Sequence, residues 1–243
     1  MPARYWLPLH GLRGPVPVEH LHAALSSWFD HVIAEDRHTA PTTSRDPHDF
    51  VEKPYSISPT TRRGSAWGVE VAVMGDRTEQ ALVTNAEVGT SLRLGAQIVD
   101  TGAAWRLASC SWQELRDYDN STGWTVQFLT PFTSRSNNRS SPFPMPATLL
   151  RAPATVWNAY CALGPVDMSP SDHSTIWVSR INARTELYTL TGRKYPGLMG
   201  EVTYRCTDPA VAPNVSALLR LAQFSGVGSF RGKGMGTISI RRF

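Results

Sequence analysis

The chain has 243 residues, 41% apolar and 18% charged, a globular balance with length for one large domain or two small ones. No apolar run reaches the length of a membrane span, and Met1–Leu12 lacks the apolar core of a signal peptide, so a soluble cytoplasmic protein is expected. The net charge of +4 is modest but skewed: Lys53, Lys194 and Lys233 are the only lysines, and every other cation is arginine, which grips phosphate bidentately and stacks on bases. Cys110, Cys161 and Cys206 are odd in number, far apart and in no Cys-x-x-Cys pair, which argues against a disulfide framework or zinc site and for small buried residues. No metal and no cofactor are expected.

In chain order, residues 4–9 read as a strand and 17–34 as an amphipathic helix, with Val18, Leu21, Leu25, Trp28 and Val32 at helical spacing behind Pro17. A polar, cationic segment with Arg37, His38, Arg45 and His48 follows, then Lys53-Pro-Tyr-Ser-Ile-Ser-Pro59, whose prolines bracket a short extended piece. Alternation over 67–73 predicts a strand, 77–87 a short helix, and 92–109 more strand. The first half thus reads β-α-β-β-α-β. A second set comprises a strand at 124–129, a long loop over 130–146 carrying Arg135 and Arg139, and helical pieces within 147–162 interrupted by Pro153. Strands within 174–190 and 199–206, a helix at 214–223 and a last strand from Thr237 complete it. The expectation is two α+β halves, 1–118 and 119–243.

Between the last helix and strand lies Phe224-Ser-Gly-Val-Gly-Ser-Phe-Arg-Gly-Lys-Gly-Met-Gly-Thr-Ile238, rich in glycine. Gly226, Gly228, Gly232, Gly234 and Gly236 allow positive φ and close backbone approach, and Arg231 and Lys233 add charge, a composition suited to cradling phosphate. It is no Walker A loop, since Gly228 to Gly232 leaves three residues and Gly234 follows Lys233. It is no dinucleotide fingerprint either, since Arg231 stands where the third glycine belongs.

Three landmarks then coincide: His48 to Lys53-Pro-Tyr-Ser-Ile-Ser-Pro59; Leu129-Thr-Pro-Phe132 with Phe143-Pro-Met-Pro146; and Gly197-Leu-Met-Gly-Glu-Val-Thr-Tyr204 leading to the glycine loop. In this order they resemble the CRISPR-associated endoribonucleases that cut precursor CRISPR RNA, members of the RAMP superfamily. The resemblance implies an α+β fold of two tandem ferredoxin-like domains with a C-terminal glycine-rich loop, RNA being held along their junction and against that loop. It further implies cleavage within the repeat hairpin without metal, and partners comprising CRISPR repeat RNA, mature crRNA and other effector-complex subunits, with no membrane role. An alternative is a non-catalytic crRNA-binding RAMP subunit. A ferredoxin-like RNA-binding module outside CRISPR systems is less well supported, because no RNP1 motif is present.

Metal-free cleavage uses the substrate's 2′-hydroxyl as nucleophile, leaving a 2′,3′-cyclic phosphate and a 5′-hydroxyl, and needs proton transfer and charge stabilisation. Histidine suits the first task and lysine or arginine the second. By resemblance, His48 is the first candidate for proton transfer, with Lys53 on the phosphate and Tyr55 orienting it. His38 and His31 are runners-up. His20 and His22 read as structural or surface residues, and His10 and His173 have no supporting neighbours. The first helix offers Ser26, Ser27 and Trp28 where family members carry tyrosine or a second histidine, which brings Arg37, Arg45, Arg241 and Arg242 forward as cationic alternatives. For RNA grip the candidates are the glycine loop with Arg231 and Lys233, then Arg180, Arg184, Arg193 and Lys194 flanking a predicted hairpin, and Arg135 and Arg139.

Overall fold

The aromatic pair Tyr5-Trp6 and the buried Leu7 and Leu9 of the opening segment lie in β1 (Ala3–His10), a central strand of the first contact unit, Met1–Ser111 with Gly232–Gly234. The computed structural model describes residues 1–33, 35–37, 53–87, 89–117, 121–136 and 139–243, so His38, Arg45 and His48 lie outside the described residues. After β1 comes α1 (Val18–Phe29), which buries Val18, Leu21, Leu25, Trp28 and Phe29. It is shorter than the predicted 17–34. Val32 N–H turns back to Phe29 O at 2.9 Å, a three-residue closure that tightens and ends the helix, leaving Val32 in a turn.

The proline-bracketed piece is β2 (Tyr55–Ile57), followed by β3 (Thr61–Arg63) and β4 (Ala66–Val73). Next is α2 (Asp76–Glu87), whose N-terminus is capped from a distance: the Asp36 carboxylate accepts from Arg77 N–H at 2.8 Å and Thr78 N–H at 2.7 Å. These are amides that a helix leaves unpaired, and a carboxylate there also meets the positive end of the helix dipole. β5 (Ser91–Leu94), β6 (Gln97–Thr101) and β7 (Trp105–Ser109) complete the unit. β4 pairs antiparallel with β1 on one side and with β2 and β3 on the other, while β6 and β7 take the remaining edge of β1. The first and third strands of a β-α-β-β-α-β unit are thus central and the second and fourth flank them, the ferredoxin-like arrangement.

The second contact unit, Trp112–Arg231 with Met235–Phe243, repeats this order. It contains α3 (Trp112–Arg116), β8 (Gly123–Phe132), β9 (Ser134–Ser136), β10 (Arg139–Ser141), α4 (Pro146–Tyr160) and α5 (Pro170–Ser174). β11 (Ile176–Leu190), β12 (Arg193–Cys206), α6 (Ala212–Ser225) and β13 (Ile238–Arg242) follow. The sheet runs β11-β12-β8-β13, antiparallel throughout. One face buries Trp124, Val126, Phe128, Val202, Tyr204 and Ile238.

Two expectations change. The segment 130–146 is not one long loop: β8 extends to Phe132, and β9 and β10 form a hairpin pairing Ser136 with Arg139. Nor does Pro153 interrupt the helix. It sits inside α4, where burial of Leu149, Leu150, Val156 and Trp157 outweighs a proline cost of about 3 kcal/mol.

Within this core Trp124 Nε1–H donates to Ser216 Oγ at 3.0 Å in full burial. Ser216→Ala leaves that donor unsatisfied and is expected to lower unfolding stability by about 1–3 kcal/mol, measured by chemical denaturation. Ser216→Thr, which keeps the hydroxyl, is expected to lose less.

Candidate active site and nucleic-acid interface

In the first unit β2 and α1 bring a compact set of polar groups together. Pro54 O accepts from Met74 N–H at 2.8 Å and pins the chain just after Lys53. Lys53 Nζ lies 3.4 Å from Tyr55 Oη and 5.7 Å from the centre of its ring. Tyr55 is fully buried and packs on Phe29 at 4.6 Å between ring centres, so it supports Lys53 from beneath and presents no surface of its own. Burial pulls the Lys53 ammonium below the ordinary lysine range, Asp30 opposes this, and Lys233 adds to it. Two lysines from distant parts of the sequence therefore sense each other's charge here, an arrangement that a bound phosphate would relieve.

Lys233 belongs to a single 3₁₀ turn, Arg231–Lys233, of which Gly232 and Lys233 are grouped with the first unit. A Cβ at Gly232 would lie 3.6 Å from the Tyr55 ring and 3.7 Å from that of His22. His22 itself stands 6.4 Å from the Tyr55 ring centre. The sequence reads it as structural or surface, and the structure brings it near Tyr55. The available signal is its place on the apolar stripe, four residues after Val18 and three before Leu25. Arg37, half-buried, directly follows the anchored Asp36. His31 is exposed just beyond α1, while the His20 ring packs near Gly95.

Gly234 is grouped with the first unit as well, and the rest of the glycine loop with the second. Gly226, Gly228, Gly234 and Gly236 all have positive φ, between +70° and +77°. At Gly228 a Cβ would strike Thr133 O, and at Gly236 it would strike Val227 O. Arg231 braces the loop, donating to Ser225 O at the end of α6 at 3.0 Å. Phe230, at φ +63°, is a non-glycine residue in the left-handed region, a conformation costing about 1–2 kcal/mol.

That strained residue has a visible use. The Phe230 ring lies 4.8 Å from the Tyr195 ring and 5.5 Å from the Arg135 guanidinium. Beside it opens a cleft of about 610 Å³ lined by Arg135, Ser140, Arg193, Lys194, Tyr195 and Pro196. Three sequence-predicted cations thus converge, joined by two aromatics that had not been singled out. Arg139 lines a neighbouring cleft of about 510 Å³ with Ser134, Ser136 and Ser141. Arg184 instead pairs with Glu186 at 2.6 Å, and Arg180 lies on the open face of the sheet opposite Thr203. Arg241 bonds Glu201 at 2.6 Å, and Arg242 stands at the end of β13 opposite Trp124. Among the described residues no group of His, Cys, Asp and Glu could hold a metal ion, and no helix is long and apolar enough to cross a membrane.

Two β-α-β-β-α-β units, with a cation-bearing glycine loop between α6 and β13, define an α+β protein of tandem ferredoxin-like fold. Residues 126–238, just under half of the chain and including the glycine loop, match the family model CRISPR-associated endoribonuclease Cas6. The resemblance drawn from the sequence is thereby borne out. Solved structures agree on the fold over the whole chain. A Cas6 (TTHA0078) product complex is 22% identical with a TM-score of 0.78, covering 100% of this chain and 99% of that one. The Thermus thermophilus Cas6 TTHB231, as a product complex, is 22% identical with a TM-score of 0.75, covering 99% and 100%. The product of a Cas6-related gene from Pyrococcus furiosus is 10% identical with a TM-score of 0.59, covering 99% of each chain. No curated protein matches the chain.

Proposed function

We propose that this chain is a metal-independent endoribonuclease that binds the hairpin of a CRISPR repeat and cleaves precursor crRNA within the repeat, retaining the product. The observation that carries the reading is the Cas6 family match, which includes the glycine loop. The convergence of Lys53 and Lys233 beside that loop supports it.

In this reading Lys53 and Lys233 balance the charge that grows on the scissile phosphate, and Tyr55 holds Lys53 in place. The substrate's 2′-hydroxyl attacks the adjacent phosphorus and the 5′-oxygen leaves, giving a 2′,3′-cyclic phosphate and a 5′-hydroxyl. His48 moves the protons, with His38 and Arg37 as the next candidates and Arg242 as a cationic alternative. Arg135, Arg139, Arg193 and Lys194 hold RNA phosphates, and the half-buried rings of Tyr195 and Phe230 offer faces for bases. The glycine loop admits the RNA backbone closely at Gly232, where no neighbouring atom crowds a Cβ position.

The test incubates the protein in EDTA with end-labelled repeat RNA, beside a copy bearing a single 2′-deoxy substitution at the mapped cut. Cutting of the all-RNA strand alone is expected, with loss of a factor of about 10²–10⁴ in His48→Ala. Retained cutting in that variant moves the role to His38 or Arg37. Tight binding with no cutting by the parent protein sinks the catalytic claim and makes the chain a guide-holding subunit.

A further inference from the structure

The face of the second sheet opposite its core carries a feature that neither the lysine site nor the cationic cleft uses. Trp177 lies opposite Arg205 on the neighbouring strand, and Arg205 lies opposite Gly123. Phe243, whose N–H donates to Gly123 O at 3.1 Å, lays its ring over that glycine so closely that any Cβ there would collide with it. The Arg205 guanidinium sits 4.9 Å from the centre of the Phe243 ring. One row across four strands is therefore aromatic, guanidinium, bare backbone, aromatic. Trp177 remains 48% exposed and Phe243 53% exposed.

The adjoining row is polar and again basic. Arg180 pairs with Thr203, Thr203 with Thr125 through hydroxyls 3.1 Å apart, and Thr125 with Arg241. In the third row the only carboxylate is Glu201, and Arg241 already neutralises it. Flat aromatic faces, a guanidinium set over one of them, hydroxyls and excess positive charge fit one ligand chemistry, unpaired nucleobases on a phosphate backbone. A protein partner would more often meet a charge-poor centre. A paired stem would keep its base faces stacked internally and offer none to Trp177 or Phe243.

We infer that this open sheet face is a stacking platform for a single-stranded RNA segment, separate from the cationic cleft. The inference rests on the RNA-binding part of the proposed function and extends it from the hairpin to unpaired RNA.

The test compares the parent with Trp177→Thr, which keeps a strand-favouring residue, and Phe243→Ala, which removes a half-exposed ring just beyond β13. Binding of a short oligouridylate and of a repeat hairpin trimmed of its unpaired flanks is measured for each, with sedimentation run alongside. The expected result is that both variants bind oligouridylate roughly 5- to 100-fold more weakly while trimmed-hairpin binding is unchanged. If the parent binds the hairpin and the variants bind oligouridylate as the parent does, the platform is wrong and the proposed function stands. If the parent binds neither RNA, both readings fall. Unchanged oligouridylate binding with a dimer lost in the variants would make this face a contact between copies and overturn the inference.

Discussion

Lys53→Met is expected to slow single-turnover cleavage of repeat RNA by about 10²–10³-fold at saturating protein, the loss typical of removing one donor aimed at developing charge. Methionine keeps the length and apolar character of the lysine stem, so packing against Tyr55 is retained and the change isolates the ammonium. A substitution that merely damaged the fold would also lower stability, and here the sign differs. Burial holds the Lys53 pKa below its ordinary value, so the folded state binds this proton less well than the unfolded chain. The charge therefore opposes folding below the folded pKa, and that opposition fades as pH rises through it. Lys53→Met removes it and is expected to melt no lower than the parent at neutral pH. The same shift predicts that the rate contribution of Lys53 is lost on raising pH earlier than an ordinary lysine would allow, while Lys53→Arg keeps its charge over that range. A rate unchanged in Lys53→Met would remove this residue from the chemistry.

Gly236→Ala is expected to lower unfolding stability by about 3 kcal/mol or more, and to abolish tight RNA binding with it. The position has φ +72°, where a side chain costs about 1–2 kcal/mol, and its Cβ would run into Val227 O. Relief by movement is blocked on both sides: Gly236 N–H donates to Pro131 O at 3.0 Å, and its carbonyl accepts from Val227 N–H at 2.8 Å. Gly232→Ala makes the contrasting case. Its Cβ would meet only ring edges at ordinary contact distance, so stability is expected to stay within about 0.5 kcal/mol while RNA binding weakens. Equal stability losses at the two positions, read by chemical denaturation, would show that both glycines serve only the loop itself.

Much of the secondary structure was legible because it is locally encoded. The stripe of Val18, Leu21, Leu25 and Trp28 marks α1, and alternation marks β4 and β8. Gly226, Gly228, Gly234 and Gly236, in the stretch where glycine is densest, all adopt positive φ. Misreadings arose where burial overrode a local signal: Pro153 punctuates sequence, yet the packed face of α4 carries the helix through it. The polar segment 130–146 reads as loop because β9 and β10 are too short to show a period.

By itself, then, the sequence determined the element order, the glycine loop and the residue types able to hold phosphate, since each depends on neighbours a few positions away. Only the tertiary structure decided which of them meet. It set Lys53 within reach of the charge of Lys233, turned His22 toward Tyr55, and hid Tyr55 beneath the site. It also used strand register to align Trp177, Arg205 and Phe243 in one row. Such contacts join residues far apart in the chain, and their formation depends on sheet pairing and packing that no local periodicity records.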